Sequence, residues 1–170
     1  DEASHFEGLA ARITHAINDH LWDETRGVYV DARHSRRVSQ QSNAAVIAFG
    51  IAPKARWDRI LAAILDESRL VLTRTGEASS AVVAFDETWQ VVRAQPFYSH
   101  HLHRALSAAG HFDALVSHMR RWEMLHEGGN DTFRETWQVD GLTSLCHGWA
   151  VTPTYDMSSI VLGVEPLVSG

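Results

Sequence analysis

The sequence is poor in the residues that fasten or charge a protein. One cysteine, Cys146, stands among 170 residues, so no internal disulfide is available and thiol usage does not point to a redox compartment. Basic residues are outnumbered, 15 Lys and Arg against 21 Asp and Glu, for a formal charge of −6. Such a balance carries no electrostatic footprint for nucleic acid or for an anionic membrane surface. No apolar run approaches the roughly 20 residues of a membrane-spanning helix. Only 4 prolines interrupt the chain, which leaves room for long helical stretches. The P-loop, the dinucleotide-binding G-x-G-x-x-G, the G-x-S-x-G elbow and H-E-x-x-H are all missing, so no cofactor is expected. The first residue is Asp1, no leader-type pattern precedes the first helical segment, and no compartment is assigned.

What is present is helical periodicity. Ser4 and Glu7 read as a capping box ahead of Phe6, Leu9, Ile13, Ala16, Ile17 and Leu21 at helical spacing. The period breaks over 22–31, where Gly27 followed by Val28 and Val30 suggests a turn or hairpin. It resumes from about Ser42 to Phe49, with Gly50 as the stop. Pro53 suits the first turn of a helix with the stripe Trp57, Ile60, Leu61, Ile64 and Leu65. An irregular excursion with short strands is expected over 69–95. Helices then follow from Phe97 to Gly110 and from Phe112 to Gly128-Gly129. A last helical region is expected from Ser144 to Leu162, kinked or divided at Pro153. About six helices result, with one tight connection at Ala109-Gly110-His111. The expected fold class is all-α, built of helical hairpins in one domain over 1–170.

Three groups of residues could carry chemistry. Glu135 follows a glycine-terminated helix in a polar loop and is flanked by Trp137. A neighbouring aromatic can stack on a sugar ring and exclude water from a carboxylate. A solvated loop acid would give the same residue type. His147 follows Ser144, read as a helix N-cap, which places the imidazole in a first helical turn at a cleft mouth; a structurally hydrogen-bonded histidine is the alternative. Trp149 and Trp89 read as core by residue type. His100 and His103 share a helix face but lack a third ligand at a recognised spacing, so no metal is expected.

The run Phe133-Arg134-Glu135-Thr136-Trp137, a short spacer, and then Ser144-Leu145-Cys146-His147-Gly148-Trp149-Ala150-Val151-Thr152-Pro153 resembles the closing motif of bacterial α-L-rhamnosidases. These are six-hairpin glycosidases with an (α/α)6 barrel. The segments His20–Asp31, Ser39–Ala44 and Ile160–Pro166 are similar to family stretches as well, so the resemblance spans most of the chain. It implies about half of such a barrel, the C-terminal half of a catalytic domain acting on terminal α-L-rhamnosides with inversion. By the same resemblance Glu135 matches the general base and His147 a residue of the sugar subsite. Trp137 and Trp149 are further substrate-binding candidates. Inversion requires a second carboxyl group roughly 6.5–9.5 Å from the base. The family's acid-bearing segment has no match here, so the chain alone is expected to be inactive. Its partner is expected to be a missing N-terminal half or a second copy, meeting it at apolar residues such as Leu9, Ile13 or Leu106. Arg134 departs from the family, which often places an apolar residue before the glutamate. Two other readings remain: a non-catalytic helical interaction module, and an (α/α)-toroid polysaccharide lyase fragment using Tyr98, Tyr155 or His147 as its base.

Overall fold

A computed structural model describes residues 1–73, 84–126, 129, 131–138 and 143–166, with the His126 side chain excepted. Among these residues are six α-helices and two short strand pairs, distributed over two compact units. The first unit is Asp1–Val71 with Phe85–Arg93; the second is Leu72–Ala84 with Ala94–Gly170.

The first unit opens with α1 (Glu2–His20). The Asp1 carboxylate, not Ser4, caps it by accepting the Ser4 amide at 2.9 Å. Ser4 therefore lies inside the helix and the expected capping box does not form. No residue of α1 is buried, and Phe6 and Ile13 of its apolar stripe are exposed. A tight hairpin follows, β1 (Trp22–Asp23) antiparallel to β2 (Val28–Tyr29). Gly27 turns it at φ +68°, a conformation that costs glycine little and a side-chain-bearing residue much. Helix α2 (Gln40–Ala48) starts two residues earlier than its apolar spacing indicated, because Ser39 Oγ accepts the Ser42 amide.

Asn43, fully buried on α2, ties the hairpin to the helix. Its Oδ1 accepts from Tyr29 N at 2.8 Å and its Nδ2 donates to Tyr29 O at 2.9 Å. Pro53 leads into a 3₁₀ turn, and α3 (Trp57–Ile64) buries Ile60, Leu61, Ala63 and Ile64. The strands expected within 69–95 are β3 (Leu70–Val71) and β4 (Val91–Val92), paired in parallel; 74–83, including Ala81-Val82-Val83, lie outside the described residues.

In the second unit a 3₁₀ turn at Pro96–Tyr98 runs into α4 (Ser99–Ala108). Gly110, at φ +76°, turns the chain into α5 (Phe112–Met119), which packs beside α4. A 3₁₀ stretch, Arg120–His126, continues from α5. Leu102, Leu106, Leu115, Trp122, Leu125 and Trp137 form the buried interior. Leu106, expected at an intermolecular contact, is fully buried here. The last helical region starts at Gly148, not Ser144: a 3₁₀ turn leads into α6 (Thr152–Asp156) and a π-helical turn at Met157–Val161. Pro153 sits in the first turn of α6, where its missing N–H costs nothing.

The tightest link between α4 and α6 is polar. Asp156, with no solvent exposure, lies 2.6 Å from His103 Nδ1 and 3.0 Å from His100 Nδ1, one carboxylate oxygen to each. His103 Nε2 continues to His118 Nδ1 on α5 at 2.9 Å. No helix among the described residues is long and apolar enough to cross a membrane.

Candidate functional site

The residues from 144 to 147 are not helical, with bends at Leu145 and Cys146, because their backbone is engaged elsewhere. Glu135 N donates to Ser144 O at 2.9 Å and His147 N donates to Phe133 O at 2.8 Å, which lays 133–135 against 144–147 in opposite directions. Thr132 Oγ1 donates to Leu145 O at 2.6 Å and reinforces the pairing. Ser144 cannot cap a helix under these constraints; its hydroxyl turns to Cys146 O instead. His147 therefore precedes the first helical turn rather than lying in it, with φ −115° and ψ 110°.

This pairing brings two of the candidate residues together. Glu135, His147, Phe97, Gly148 and Trp149 line one cavity of about 440 Å³. The Glu135 carboxylate is half-buried and reaches back toward the Ser144 amide, Oε2 to N 3.5 Å. The His147 ring stands edge-on to Phe97, with centroids 5.8 Å apart, and 6.5 Å from the Trp149 ring. Trp149 is 75% exposed, which reverses the expectation that it is core. Trp89 is exposed as well; its carbonyl accepts from Arg69 Nε at 3.0 Å.

Trp137 goes the other way. Its indole is buried against Trp122, donates from Nε1 to Ala94 O at 2.7 Å and does not line the cavity. A sugar-stacking face is not available to it in this position. The neighbouring Arg134 is buried, donating from Nη2 to Trp137 O at 3.1 Å. Its guanidinium thus braces the loop that carries Glu135 and does not reach the cavity, and the stem can occupy space that an apolar residue would otherwise fill.

What this arrangement offers chemically is a carboxylate, an imidazole and an open indole face around one concave space. A carboxylate can take a proton from water, an imidazole can bond a hydroxyl, and an exposed indole can stack on the apolar face of a sugar ring. A second carboxyl group, which an inverting hydrolase would need, is not found among the described residues lining this cavity. No group of described His, Cys, Asp or Glu residues is arranged to hold a metal ion.

Residue-type reasoning did not select Phe97 or Asp156, and Tyr155 entered only as a candidate base of the lyase alternative. The signal that existed was the spacing of His100 and His103, which share a face of α4 and await a common acceptor.

The fold is that of a helical segment of an α-L-rhamnosidase. The chain is similar to a GH78 family rhamnosidase of Bacillus sp. GL1, with 25% identity and a TM-score of 0.66 over 93% of this chain and 16% of that one. It is also similar to a rhamnosidase from Klebsiella oxytoca with rhamnose bound, with 20% identity and a TM-score of 0.66 over 95% of this chain and 29% of that one. The chain thus spans less than a third of either relative. No protein-family model matches the sequence, and a search of curated proteins gives no significant match.

Proposed function

We propose that this chain supplies the water-activating side of a glycoside hydrolase site that cleaves terminal α-L-rhamnosides with inversion. The observation that carries the reading is the single cavity shared by Glu135, His147 and Trp149, in a fold similar to that of rhamnosidases. Glu135 is the general base. Its carboxylate takes a proton from water as the water oxygen bonds to the anomeric carbon, and the glycosidic C–O bond breaks on the opposite face. The departing oxygen takes its proton from a second carboxyl group, and that group comes from protein outside the described cavity lining. His147 donates to or accepts from a sugar hydroxyl, and Trp149 offers the stacking face.

Two measurements on the purified chain test this. Calorimetric titration with methyl α-L-rhamnoside is expected to show weak, saturable binding that His147→Ala reduces. Hydrolysis of an aryl α-L-rhamnoside is expected to stay near background, because acid–base assistance is worth about 10²–10⁴-fold and half of it is absent. Absence of rhamnoside binding would overturn the site. Robust turnover abolished by Glu135→Gln would show that the acid lies within this chain, contrary to the division of labour proposed.

A further inference from the structure

Helix α1, at 19 residues the longest element of the first unit, buries none of them. One side of it is accounted for. Asn18 donates from Nδ2 to Ile51 O at 2.9 Å, and its Oδ1 accepts from Tyr29 Oη at 2.6 Å and from Arg56 Nη1 at 2.7 Å. Thr14, one turn back, is half-buried on the same side.

The other side has a register of its own. Glu2, Phe6, Leu9, Ile13, Ala16 and His20 follow one another at alternating steps of four and three residues. That is the seam spacing of a coiled coil. At about 100° per residue the seam faces about 160° away from Asn18, so it turns away from the hairpin that anchors the helix. Phe6 is 58% exposed and Ile13 49%, with Leu9 half-buried between them.

In size and in charge the seam complements its own reverse. In an antiparallel pair of these helices Leu9 meets Ile13, Phe6 meets Ala16 and Glu2 meets His20, each twice. A large ring then lies over a methyl, branched side chains fill the middle, and each end joins a carboxylate to an imidazole. The flanking His5 comes to face Asp19, which also holds His15 of its own helix at 3.0 Å. Opposed helix dipoles favour the same direction. A parallel pair would instead set Glu2 against Glu2 and Ala16 against Ala16, a like-charge contact near one end and a void near the other. One contact works against the antiparallel pair: the two Arg12 side chains flank its axis and approach each other.

We propose that α1 pairs with α1 of a second copy of this chain, as an antiparallel two-fold coiled coil centred on Leu9 and Ile13. A single pair of helices this short lies at the small end of specific interfaces, so the dimer is weak, with a Kd on the order of 100 µM. The pairing is independent of the carbohydrate reading of the Glu135 cavity.

Sedimentation equilibrium of the full chain, from about 10 µM to about 1 mM, should show a reversible passage from 19.0 kDa toward twice that mass. Ile13→Asp should hold the chain monomeric with its helix content by circular dichroism unchanged. Arg12→Gln should do the reverse and tighten the pair about twofold, by relieving the like charges. That gain is particular to self-pairing, because only a two-fold axis brings Arg12 to itself. Direction is read by mixing ¹⁵N-labelled chain with unlabelled chain spin-labelled at Ser4→Cys, in a Cys146→Ser background because Cys146 is exposed. Antiparallel pairing should broaden the amides around Asn18 of the labelled chain.

Four outcomes each overturn the proposal. A chain monomeric throughout that range leaves the seam to another occupant, and a dimer that survives Ile13→Asp uses another face. Weaker association of Arg12→Gln contradicts the axis, and broadening centred on Ser4 of the labelled chain makes the helices parallel.

Discussion

The backbone amide of His147 donates to the carbonyl of Phe133 at 2.8 Å, so the position of His147 relative to Glu135 is set by main chain and not by its own side chain. Removing the imidazole should therefore leave the frame intact. His147→Ala is expected to change unfolding free energy by no more than about 0.5 kcal/mol, as for a substitution outside the core. Rhamnoside affinity should nonetheless fall about tenfold, the worth of one good hydrogen bond. Urea unfolding and calorimetric titration of the same variant separate the two effects.

The two tryptophans of the motif should respond in opposite ways. Trp137 is buried and hydrogen-bonded to Ala94 O, so Trp137→Ala is expected to destabilise by about 3–5 kcal/mol. Trp149→Ala removes an indole that is 75% exposed and should leave the unfolding midpoint nearly unchanged while weakening saccharide binding. A large stability loss in the Trp149 variant would place that ring in the core after all.

Asp156 is the acceptor for imidazoles on α4 and is itself wholly buried. Asp156→Ala leaves the His103 N–H without a partner in a dry interior, at about 1–3 kcal/mol, and adds a small cavity. A loss of about 3 kcal/mol in urea unfolding is expected. His103→Phe with Asp156→Leu should recover part of it, since the His103 N–H is no longer orphaned while His118 loses the bond it made to His103 Nε2.

Much of the helical architecture is legible in apolar spacing. Leu102, Ala105 and Leu106 on α4, or Ile60, Leu61 and Ile64 on α3, sit inside as their periodicity requires. Glycines mark the stops after α2 and α4 because the chain turns there at positive φ. The meeting of Glu135 with His147 was legible only through the family-like motif. The pairing of 133–135 with 144–147 is a set of main-chain bonds between loops and has no period to read. Burial of Trp137 and exposure of Trp149 are decided by what packs nearby, and residue type carries no trace of it. Asp156 is 56 positions from His100, and nothing local marks their contact.

In the first unit, Asn43→Ala should be costly for the same reason as Asp156→Ala. It deprives both the N–H and the C=O of buried Tyr29 of their partner. A loss of about 3 kcal/mol is expected. Loss of hydrogen-exchange protection at the Tyr29 amide would locate the damage.

Burial holds the His101 imidazole below the ordinary histidine value of 6.5, and the nearby charges of His100 and Arg104 act in the same direction. The unfolded chain therefore binds the proton more readily than the folded one. The stability that depends on a neutral His101 is complete above about pH 6.5 and is lost as pH falls below it. Thermal melting at about pH 7 and about pH 5 should show a smaller drop for His101→Gln than for the parent chain. An identical drop would assign the pH sensitivity to other groups.

Asp156 serves two imidazoles with one carboxylate, and this has a consequence for descent. A mutation at 156 alone strands His103, and one at 103 alone removes a donor from a buried charge, so each single step passes through a less stable protein. Positions 103 and 156 should thus be inherited or exchanged as a unit among relatives. Position 100 gives Asp156 its other donor, so exchange there should be confined to residues that keep a donor toward the carboxylate.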